Sequence, residues 1–334
     1  MRRLLPFLLT TGLLPVVQAQ SVATLQQSFS GKCVWEAQAG HFLFLSSGRI
    51  DFKRDQEMSG IWNVPEEVKR ITIAVNTRVT GQFTLKHSCT IAGADEKTSI
   101  LYGTDTAGLL HDKGMDGGGR CLPYSAILGW GKIAVTVTNL TVLNPLTFMW
   151  TGADGARFHL EHVRGLDNRG GWHNHSDGLQ AAKGSTIRDC YLECGDDAIK
   201  VYNDMLVENT TIKMIQNCVP IQLGWGSYGN GARGVFRNVT IIGERGRGRT
   251  PAVIEGNQGS YHKTIEITGL VISNANAAMV RLKEEGMELD LTVKHADITL
   301  KAFFDNSKGI SRSEINGSKE KKNNYTADQS VREK

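Results

Sequence analysis

The composition of this 334-residue chain excludes several classes of protein. Hydrophobic residues make up 40% of the chain and charged residues 22%, so the chain is not disordered. Its 37 glycines exceed the usual share of about 7%, but glycine does not recur at every third position, which excludes collagen. A formal net charge of +4 gives no sign of nucleic-acid binding. With only 7 prolines, the chain is expected to make many tight turns inside one regular architecture.

The first residues predict a signal peptide. Arg2 and Arg3 precede an apolar stretch, and Val17-Gln18-Ala19 offers small residues for cleavage after residue 19. The apolar run is too short and too interrupted for a membrane span, and no later segment is long and apolar enough to be one. We therefore expect a secreted or periplasmic protein that lacks residues 1–19 and has no membrane span.

Six cysteines bear on the redox state of the chain. They are Cys33, Cys89, Cys121, Cys190, Cys194 and Cys218. Export permits disulfides, but the pairing of six cysteines cannot be deduced from their positions. Because no CxxC pair or histidine cluster accompanies them, a structural zinc site is not expected. Buried free thiols and one or two bridges both remain open.

Short strand-like runs recur between about residues 71 and 301 and indicate a solenoid. Seven runs align, and their third residues are Asn139, Glu161, Asp189, Asn209, Asn238, Gly269 and His295. The spacings between these residues are 22, 28, 20, 29, 31 and 26. Propeller blades need about 40 residues, and leucine-rich repeats need regular Leu and Asn positions, so an all-β, right-handed parallel β-helix fits best. Asn, Asp and Gly tolerate left-handed backbone angles, which predicts a stacked polar ladder at one corner.

The repeat divides the chain into four segments. After the signal peptide at 1–19, residues 20–70 fit the repeat less well and are expected to cap the solenoid and form its first coils. Residues 71–309 are expected to form the parallel β-helix that carries the catalytic site. Residues 310–334 are polar and are expected to be a flexible tail.

Three aspartates form the most informative motif. Asp177 lies in a Ser-Asp-Gly turn, and Asp196 and Asp197 follow in Gly-Asp-Asp, about one coil further along the chain. Crowded carboxylates raise one another's pKa, which a fold tolerates mainly where the shift is useful. Acetal hydrolysis uses such a set, because one protonated carboxyl donates to the leaving oxygen and another carboxylate activates water. A calcium site or a polar corner is the alternative interpretation.

Residues around the aspartates suit sugar binding. Successive strand residues face opposite sides, so Asp196 and Asp197 share a cleft only if the chain bends, which Gly195 allows. Trp225, in a glycine-rich loop, is expected to stack on a pyranose ring, and Lys200 is expected either to bind sugar hydroxyls or to pair with an aspartate. The candidate substrate-binding residues are Trp172, His173, Lys200, Tyr202, Gln222 and Trp225. His175 also flanks the motif as a possible donor.

These motifs resemble those of the polygalacturonase-like β-helix glycosidases. Residues 176–178 and 195–197 look like the Asn-Thr-Asp-Gly and Asp-Asp motifs of that group. The runs Asp-Asp-Ala-Ile-Lys-Val-Tyr and Pro220-Ile-Gln-Leu-Gly-Trp225 are more similar to the dextranase and isopullulanase branch, glycoside hydrolase family 49. The resemblance covers mainly residues 130–300. It implies inverting hydrolysis without a metal or cofactor, with Asp196 as general acid and Asp177 and Asp197 holding the attacking water.

The resemblance implies a polysaccharide or oligosaccharide substrate, with a dextran- or pullulan-like α-glucan preferred. Arg245, Arg247 and Arg249 would equally suit an anionic glycan. A polygalacturonase-type hydrolase or a polysaccharide lyase is therefore an alternative, and a non-catalytic carbohydrate-binding β-helix is a further one. The sequence predicts no particular oligomeric state.

Overall fold

The computed structural model describes residues 21–51, 60–115, 120–170, 173–243, 252–305, 308–320 and 331–333. The predictions for the signal peptide, Trp172 and the arginines at 245, 247 and 249 concern residues outside these ranges. Two short α-helices occur in the described ranges, α1 (Val22–Ser28) and α2 (Leu109–Asp112). Single 3-10 turns span Ala37–Ala39 and Leu122–Tyr124.

Almost all of the remaining regular structure is β-strand. The strands of the first half are β1 (Cys33–Glu36), β2 (His41–Phe44), β3 (Gly48–Arg49), β4 (Ile61–Asn63), β5 (Arg70–Ile73), β6 (Thr77–Thr80), β7 (Gln82–Leu85), β8 (Cys89–Gly93), β9 (Ser99–Tyr102), β10 (Ile127–Trp130), β11 (Ala134–Leu143), β12 (Trp150–Ala153) and β13 (Arg157–Leu166). Those of the second half are β14 (Leu179–Gln180), β15 (Ser185–Arg188), β16 (Tyr191–Glu193), β17 (Ile199–Lys200), β18 (Met205–Glu208), β19 (Thr211–Lys213), β20 (Ile221–Trp225), β21 (Arg233–Ile242), β22 (Ala252–Gln258), β23 (Tyr261–Leu282), β24 (Met287–Phe304), β25 (Ile310–Ile315), β26 (Ser318–Glu320) and β27 (Val331–Glu333).

Successive coils stack these strands into three parallel sheets. The sheet that carries the aspartates, here called the front sheet, contains β4, β7, β10, β12, β14, β17, β20 and β22, followed by the ends of β23 and β24. The other two run from β5 and β6 through β8 and β9 to the same long strands β23 and β24. The long strands bend around corners and so belong to more than one sheet. This architecture confirms the predicted right-handed parallel β-helix.

The core runs along the axis of the coil, where inward side chains stack from one coil to the next. On the front sheet, Trp62, Phe83, Ile127, Trp150 and Leu179 lie opposite one another in successive strands and are fully buried. Removing apolar surface from water stabilises the fold by about 25 cal/mol for each Å² that is buried. The alternation along each strand therefore sends every second side chain into one continuous core.

The N-terminal segment packs against the first coils. The Oγ of Ser21 caps helix α1 by accepting a hydrogen bond from the N–H of Thr24 at 3.1 Å. Val22 and Leu25 of this helix are buried in the main core. Strand β1 pairs antiparallel with β2, and β2 begins the parallel stack by pairing with β5. The helix thus covers apolar side chains at the start of the solenoid.

A ladder of residues in the left-handed conformation lines one corner between the other two sheets. Asp189, Asn209 and Asn238 have φ angles of 51°, 49° and 52° there. The Nδ2 of Asn209 donates to Oδ1 of Asp189 at 3.0 Å, and the Nδ2 of Asn238 donates to Oδ1 of Asn209 at 3.1 Å. Asn139 and His295 occupy equivalent places, with φ of 50° and 55°. The stacked polar corner is present as the sequence predicts.

The repeat alignment is off by one residue at Glu161. Thr138 lies opposite Glu161 and Leu140 lies opposite Val163, so the corner residue of this coil is His162, with φ of 51°. Glu161 is the polar residue that the aligned runs predict for this corner. The strand register places His162 at the corner instead, because the segments on both sides must keep their apolar side chains inward.

Residues 310–315 belong to the β-helix, which corrects the prediction of a flexible tail from residue 310. Strand β25 pairs in parallel with β24, and Ile315 lies buried opposite Val293. Ser311 and Ser313 share the buried side of this strand. Their small hydroxyl side chains let a polar sequence form one more coil. Strand β26 then pairs antiparallel with β25, and β27 pairs antiparallel with β24.

The cysteines are resolved in favour of free thiols. All six lie in the described ranges, and none forms a disulfide there; five are buried. Burial raises the pKa of Cys89 and Cys190 to about 12, so both thiols stay protonated at neutral pH. Within the described part of the chain, no helix combines the length and apolar character needed to cross a membrane.

Candidate active site

The three aspartates gather where neighbouring strands of the front sheet begin. Strands β14, β17 and β20 lie side by side, with Lys200 opposite Gln222. Asp177 and Asp197 each stand two residues before their strand. Because β14 and β17 pair at an offset of 20 residues, Asp177 lies level with Asp197. Asp196, at a spacing of 19 residues, stands one residue short of this level.

An irregular segment at Gly195 lets Asp196 and Asp197 both lie near Asp177. Residues 194–198 are irregular and join β16 to β17. An added Cβ at Gly195 would lie 2.6 Å from the Oγ of Ser176 and 2.6 Å from the Oε1 of Gln216. The N–H of Gly195 also donates to the Oγ of Ser176 at 2.9 Å. Glycine therefore suits this place because side-chain oxygens pack closely against it, and not because of a positive φ.

Lys200 lies between two of the carboxylates. Its Nζ is 2.5 Å from Oδ1 of Asp177 and 3.7 Å from Oδ2 of Asp197. The ammonium also lies 4.3 Å from the centroid of the Phe148 ring, within the range of a cation–π contact. All three charged residues are buried, and a buried ammonium needs partners of this kind. Lys200 therefore pairs with aspartates, one of the two roles expected for it.

Asp197 accepts hydrogen bonds on both carboxylate oxygens. The Nε2 of Gln222 donates to Oδ1 at 3.2 Å, and the Nε1 of Trp225 donates to Oδ2 at 2.9 Å. Both donors belong to β20, where the pairing with β22 is irregular. Hydrogen bonds to a charged carboxylate are strong and directional. Gln222 and Trp225, predicted as sugar-binding residues, therefore also orient a member of the aspartate group.

Asp196 has a different environment. Its Oδ1 accepts hydrogen bonds from the Nδ2 of Asn217 at 2.9 Å and from the N–H of Asp197 at 3.1 Å. Its Oδ2 lies 3.2 Å from the Nδ1 of His175. Asp196 is 8% exposed, whereas Asp177 and Asp197 are each 2% exposed. It is therefore the most accessible of the three carboxyl groups.

The electrostatics of the site favour proton retention. Burial raises the pKa of Asp177 to about 8; Lys200 opposes the rise, and the charges of Asp196 and Asp197 add to it. Burial, followed by the charge of Asp196, raises the pKa of Asp197 to about 6, which Lys200 partly offsets. Burial alone would lower the pKa of Lys200, but the two aspartates it contacts raise it and keep it charged. The three carboxyl groups outnumber the one ammonium. Because their negative charges are not fully balanced, the group of carboxyls retains a proton near neutral pH.

An aromatic edge flanks the carboxylates on one side. Trp225 is 42% exposed and Tyr228 is 50% exposed, although the indole N–H of Trp225 is bound to Asp197. The ring of Tyr228 lies 5.0 Å from that of Tyr202. Burial and the nearby charges of Asp197 and other site residues shift the pKa of Tyr202 upward overall, which places this predicted residue beside the group. Exposed aromatic faces of this kind suit stacking against sugar rings.

A row of histidines lies beside Asp196. His175 contacts Asp196, and the ring of His173 lies 6.3 Å from that of His175. His173 stacks on His111 with 3.8 Å between ring centroids. Both His173 and His175 have positive φ angles, 65° and 46°, a strained conformation that is common at functional sites. The predicted residue His173 thus lies one ring further from Asp196 than its neighbour His175.

Three residues of the site lie outside the set predicted from the sequence. Asn217 follows Asp196 by about one coil, so coil spacing could have found it. Tyr228 lies in the glycine-rich loop that had already drawn attention to Trp225. Phe148 carried no signal, because an aromatic residue near a strand looks the same whether it packs in the core or under an ammonium.

One set of side chains in the site could hold a metal ion. His175, Asp177 and Asp196 each offer one ligand atom, and these atoms lie within 4.8 Å of one another. Carboxylate oxygens and imidazole nitrogen suit several divalent metals. The ammonium of Lys200, bound to Asp177, already supplies a positive charge at this place.

Comparison with known proteins supports the resemblance seen in the motifs. A dextranase from Arthrobacter sp. (strain CB-8) is 26% identical over 178 residues, which are 48% of this chain and 27% of that protein. A dextranase from Arthrobacter globiformis is 30% identical over 69 residues, which are 20% of this chain and 11% of that protein. The chain is similar to dextranases. The matched segments of this dextranase-like chain span about a quarter or less of the length of those relatives. No protein-family model matches it.

A solved structure shares the fold of this chain. Dex49A from Penicillium minioluteum superposes with a TM-score of 0.50 at 13% sequence identity, over 72% of this chain and 50% of that chain. At this identity the match concerns the fold alone. The sequence matches thus show a similarity to dextranases, and the structural match shows a shared β-helix fold.

Proposed function

We propose that the dextranase-like chain is a glycoside hydrolase that cleaves an α-glucan such as dextran. The similarity to two dextranases supports the substrate class. The observation that carries the chemistry is a group of three aspartates on two neighbouring coils, two of which pair with one lysine. Glycoside hydrolysis needs one protonated and one ionised carboxyl group at the same pH, which such a group provides. Export through the predicted signal peptide would bring the enzyme to an extracellular polysaccharide.

Asp196 is the general acid in this proposal. It is the most exposed carboxyl group of the three, and Asn217 and His175 orient it without placing an ammonium against it. Asp177 and Asp197 hold the attacking water. Asp197, with a pKa of about 6, is ionised at neutral pH and takes the proton of the water. The water oxygen bonds to the anomeric carbon, and Asp196 gives its proton to the glycosidic oxygen as the bond between that oxygen and the anomeric carbon breaks.

The test is the substitution Asp196→Asn, assayed on dextran by the release of reducing sugar. We expect kcat to fall by at least about 100-fold, because general acid catalysis contributes about 10²–10⁴-fold. Asp189→Asn is the matched control: the same change is made at the polar corner, where Asn already occurs in other coils. Unchanged hydrolysis by a folded Asp196→Asn variant would remove Asp196 from the mechanism.

The stereochemistry of the product separates two candidate mechanisms. The resemblance implies inversion, for which carboxyl groups usually stand about 6.5–9.5 Å apart, whereas about 5–5.5 Å is usual for retention. One carboxylate oxygen of Asp177 lies within 4.8 Å of one of Asp196. This is the approach of single atoms rather than the separation of the two groups, so retention stays a second candidate for the experiment to test. NMR of the first products of dextran cleavage decides: the β-anomer indicates a single displacement, and the α-anomer indicates attack by a carboxylate.

The remaining rivals predict different products and different responses to chelation. We expect EDTA to leave hydrolysis unchanged, because Lys200 supplies the positive charge against Asp177. A polysaccharide lyase would produce an unsaturated sugar that absorbs in the near ultraviolet, and chelation would abolish its activity. A polygalacturonase-type hydrolase would cleave polygalacturonate in preference to dextran. A non-catalytic protein would bind glycans from a broad panel without turning any of them over.

A further inference from the structure

A second buried lysine lies inside the coil, directly behind the site. Lys263 faces inward from β23, is fully buried and lies opposite Leu289 of the next coil. Within the described ranges no carboxylate pairs with it. Its Nζ donates instead to the carbonyl oxygens of Val201 at 2.6 Å and Leu223 at 2.5 Å. Burial lowers the pKa of Lys263 to about 7. Burying an amine in an apolar core costs free energy, and hydrogen bonds to buried acceptors offset part of that cost.

One of the two carbonyls belongs to a β-bulge in β20. Gln222 lies opposite Glu255, and Gly224 lies opposite Gly256, so Leu223 is an extra residue without an opposite number in β22. A bulge removes a residue from regular pairing and redirects the side chains around it. The amine of Lys263 supplies the donor that the sheet does not offer to the carbonyl of Leu223.

The bulge supplies both side-chain donors that hold Asp197. Gln222 and Trp225 stand on either side of Leu223 and donate to the two carboxylate oxygens at 3.2 and 2.9 Å. The Oε1 of Gln222 in turn accepts a hydrogen bond from the N–H of Gly224 at 3.0 Å. The direction of the Asp197 carboxylate therefore depends on the shape of residues 222–225.

We propose that Lys263 is a positioning residue for the proposed hydrolysis. It anchors the carbonyls of Val201 and Leu223 from inside the coil, which keeps the bulge in shape. Through Gln222 and Trp225 the bulge then aims the carboxylate of Asp197. The catalytic part of this statement rests on the proposed function, whereas the anchoring of Trp225 does not.

The anchoring is tested without any substrate, by ¹⁹F NMR of protein labelled with 5-fluorotryptophan. The resonance of Trp225 is assigned by its absence from the Trp225→Phe spectrum. We expect this resonance to shift or broaden in Lys263→Met, which removes the donor and keeps the length of the apolar part of the side chain. The matched control is Leu289→Ala, which truncates the core residue opposite Lys263 and should leave the resonance in place.

Lys263→Gln serves as a second variant if Lys263→Met does not fold, because its amide NH₂ keeps a donor group at a shorter reach. We expect a displacement of the Trp225 resonance in the same direction. A Trp225 resonance that stays unchanged in a folded Lys263 variant would overturn the proposal. Because this measurement needs no turnover, its failure is distinct from a failure of the proposed hydrolase function.

The catalytic consequence is tested with a double-mutant cycle on dextran. We expect Lys263→Met to lower kcat by about tenfold or more, since a displacement of about 1 Å can cost about 100-fold. Trp225→Phe should then cost much less in the Lys263→Met background than in the wild type, because the indole has already lost its place. In the Leu289→Ala background its cost should be unchanged. Equal costs of Trp225→Phe in all three backgrounds would contradict positioning by Lys263.

Discussion

Two polar regions of the same coils show how similar residues serve different ends. At the polar corner, Asp189, Asn209 and Asn238 form a ladder of side-chain hydrogen bonds on the exposed surface. On the front sheet, Asp177 and Asp197 also stand one coil apart, but they are buried against Lys200. Both regions repeat short polar residues at the coil period. Burial and charge distinguish them.

The difference teaches where coil-spaced polar residues become chemically useful. At the corner, each side-chain amide donates a hydrogen bond to the corner residue of the neighbouring coil. Asn and Asp occur there because they tolerate left-handed φ angles near 50°. In the site, three carboxyl groups exceed the single ammonium, and burial prevents water from compensating them. The pKa of Asp177 rises to about 8 as a result. Polar residues spaced by one coil form structural hydrogen bonds at the exposed corner. In the buried site, the same spacing raises a carboxyl pKa, so a proton is retained there.

The largest effect is expected from Lys200→Met, which would leave the buried carboxylates without their cation. Breaking a buried ion pair from one side costs about 3–5 kcal/mol, and kcat on dextran should fall by more than about 100-fold. Lys213→Met is the control, because it removes a half-exposed pair with Glu193 in a neighbouring coil at a cost of less than about 1 kcal/mol. Urea unfolding and initial rates measure both quantities. If both variants lost similar unfolding free energy and similar kcat, burial would not distinguish the Lys200 ion pairs from the half-exposed pair of Lys213.

The next effect is a pH dependence of stability that belongs to the site. The folded-state pKa of Asp177, about 8, and that of Asp197, about 6, lie above the ordinary carboxyl value of about 3.9. The folded state therefore binds protons more tightly than the unfolded state, and this stabilisation is lost as pH rises from about 4 to about 8. Asp177→Asn should reduce the fall by up to about 1.4 kcal/mol per pH unit.

Urea unfolding at a series of pH values between 4 and 8 measures this slope. Asp189→Asn should keep the wild-type slope, because its carboxylate lies at the exposed corner. If the slope of Asp177→Asn equals that of the wild type, the carboxyl of Asp177 does not retain a proton in the folded state.

The smallest effect is expected at the polar corner itself. Asn209→Ala removes hydrogen bonds to both neighbouring rungs and places alanine at a φ of 49°, at a cost of about 1 kcal/mol. Asn209→Gly, which tolerates this angle, should recover part of the loss in a thermal unfolding experiment. Turnover of dextran should be unchanged in both variants. A loss of activity would mean that the corner and the site are coupled.

The sequence predicted much of the fold and part of the site because both depend on local periodicity. The recurrence of Asn and Asp at the coil period located the corner, and a spacing close to one coil linked Asp177 with Asp196 and Asp197. It failed by one residue at Glu161, where strand register rather than residue type chose the corner position. It also failed at residues 310–315, whose serines are compatible with burial in one more coil.

Other features depended on contacts between coils. Lys200 could be assigned either to sugar binding or to an aspartate until its distance of 2.5 Å to Asp177 was known. Trp225 was predicted as a stacking residue, and only the structure shows its N–H on Asp197. His175 rather than His173 contacts Asp196, because the turn before β14 places the two rings at different distances. No sequence pattern specifies these choices.

By itself, the sequence determined a right-handed parallel β-helix and the position of three aspartates on neighbouring coils. Alternation along a strand and repetition along the chain are local properties, and they suffice for both. Only the tertiary structure decided that Lys200 joins Asp177 to Asp197, and that Lys263 reaches the bulge of β20 from inside the coil. The charge state of a buried group and the direction of a bulged strand depend on side chains from distant coils, which come together only when the solenoid is stacked.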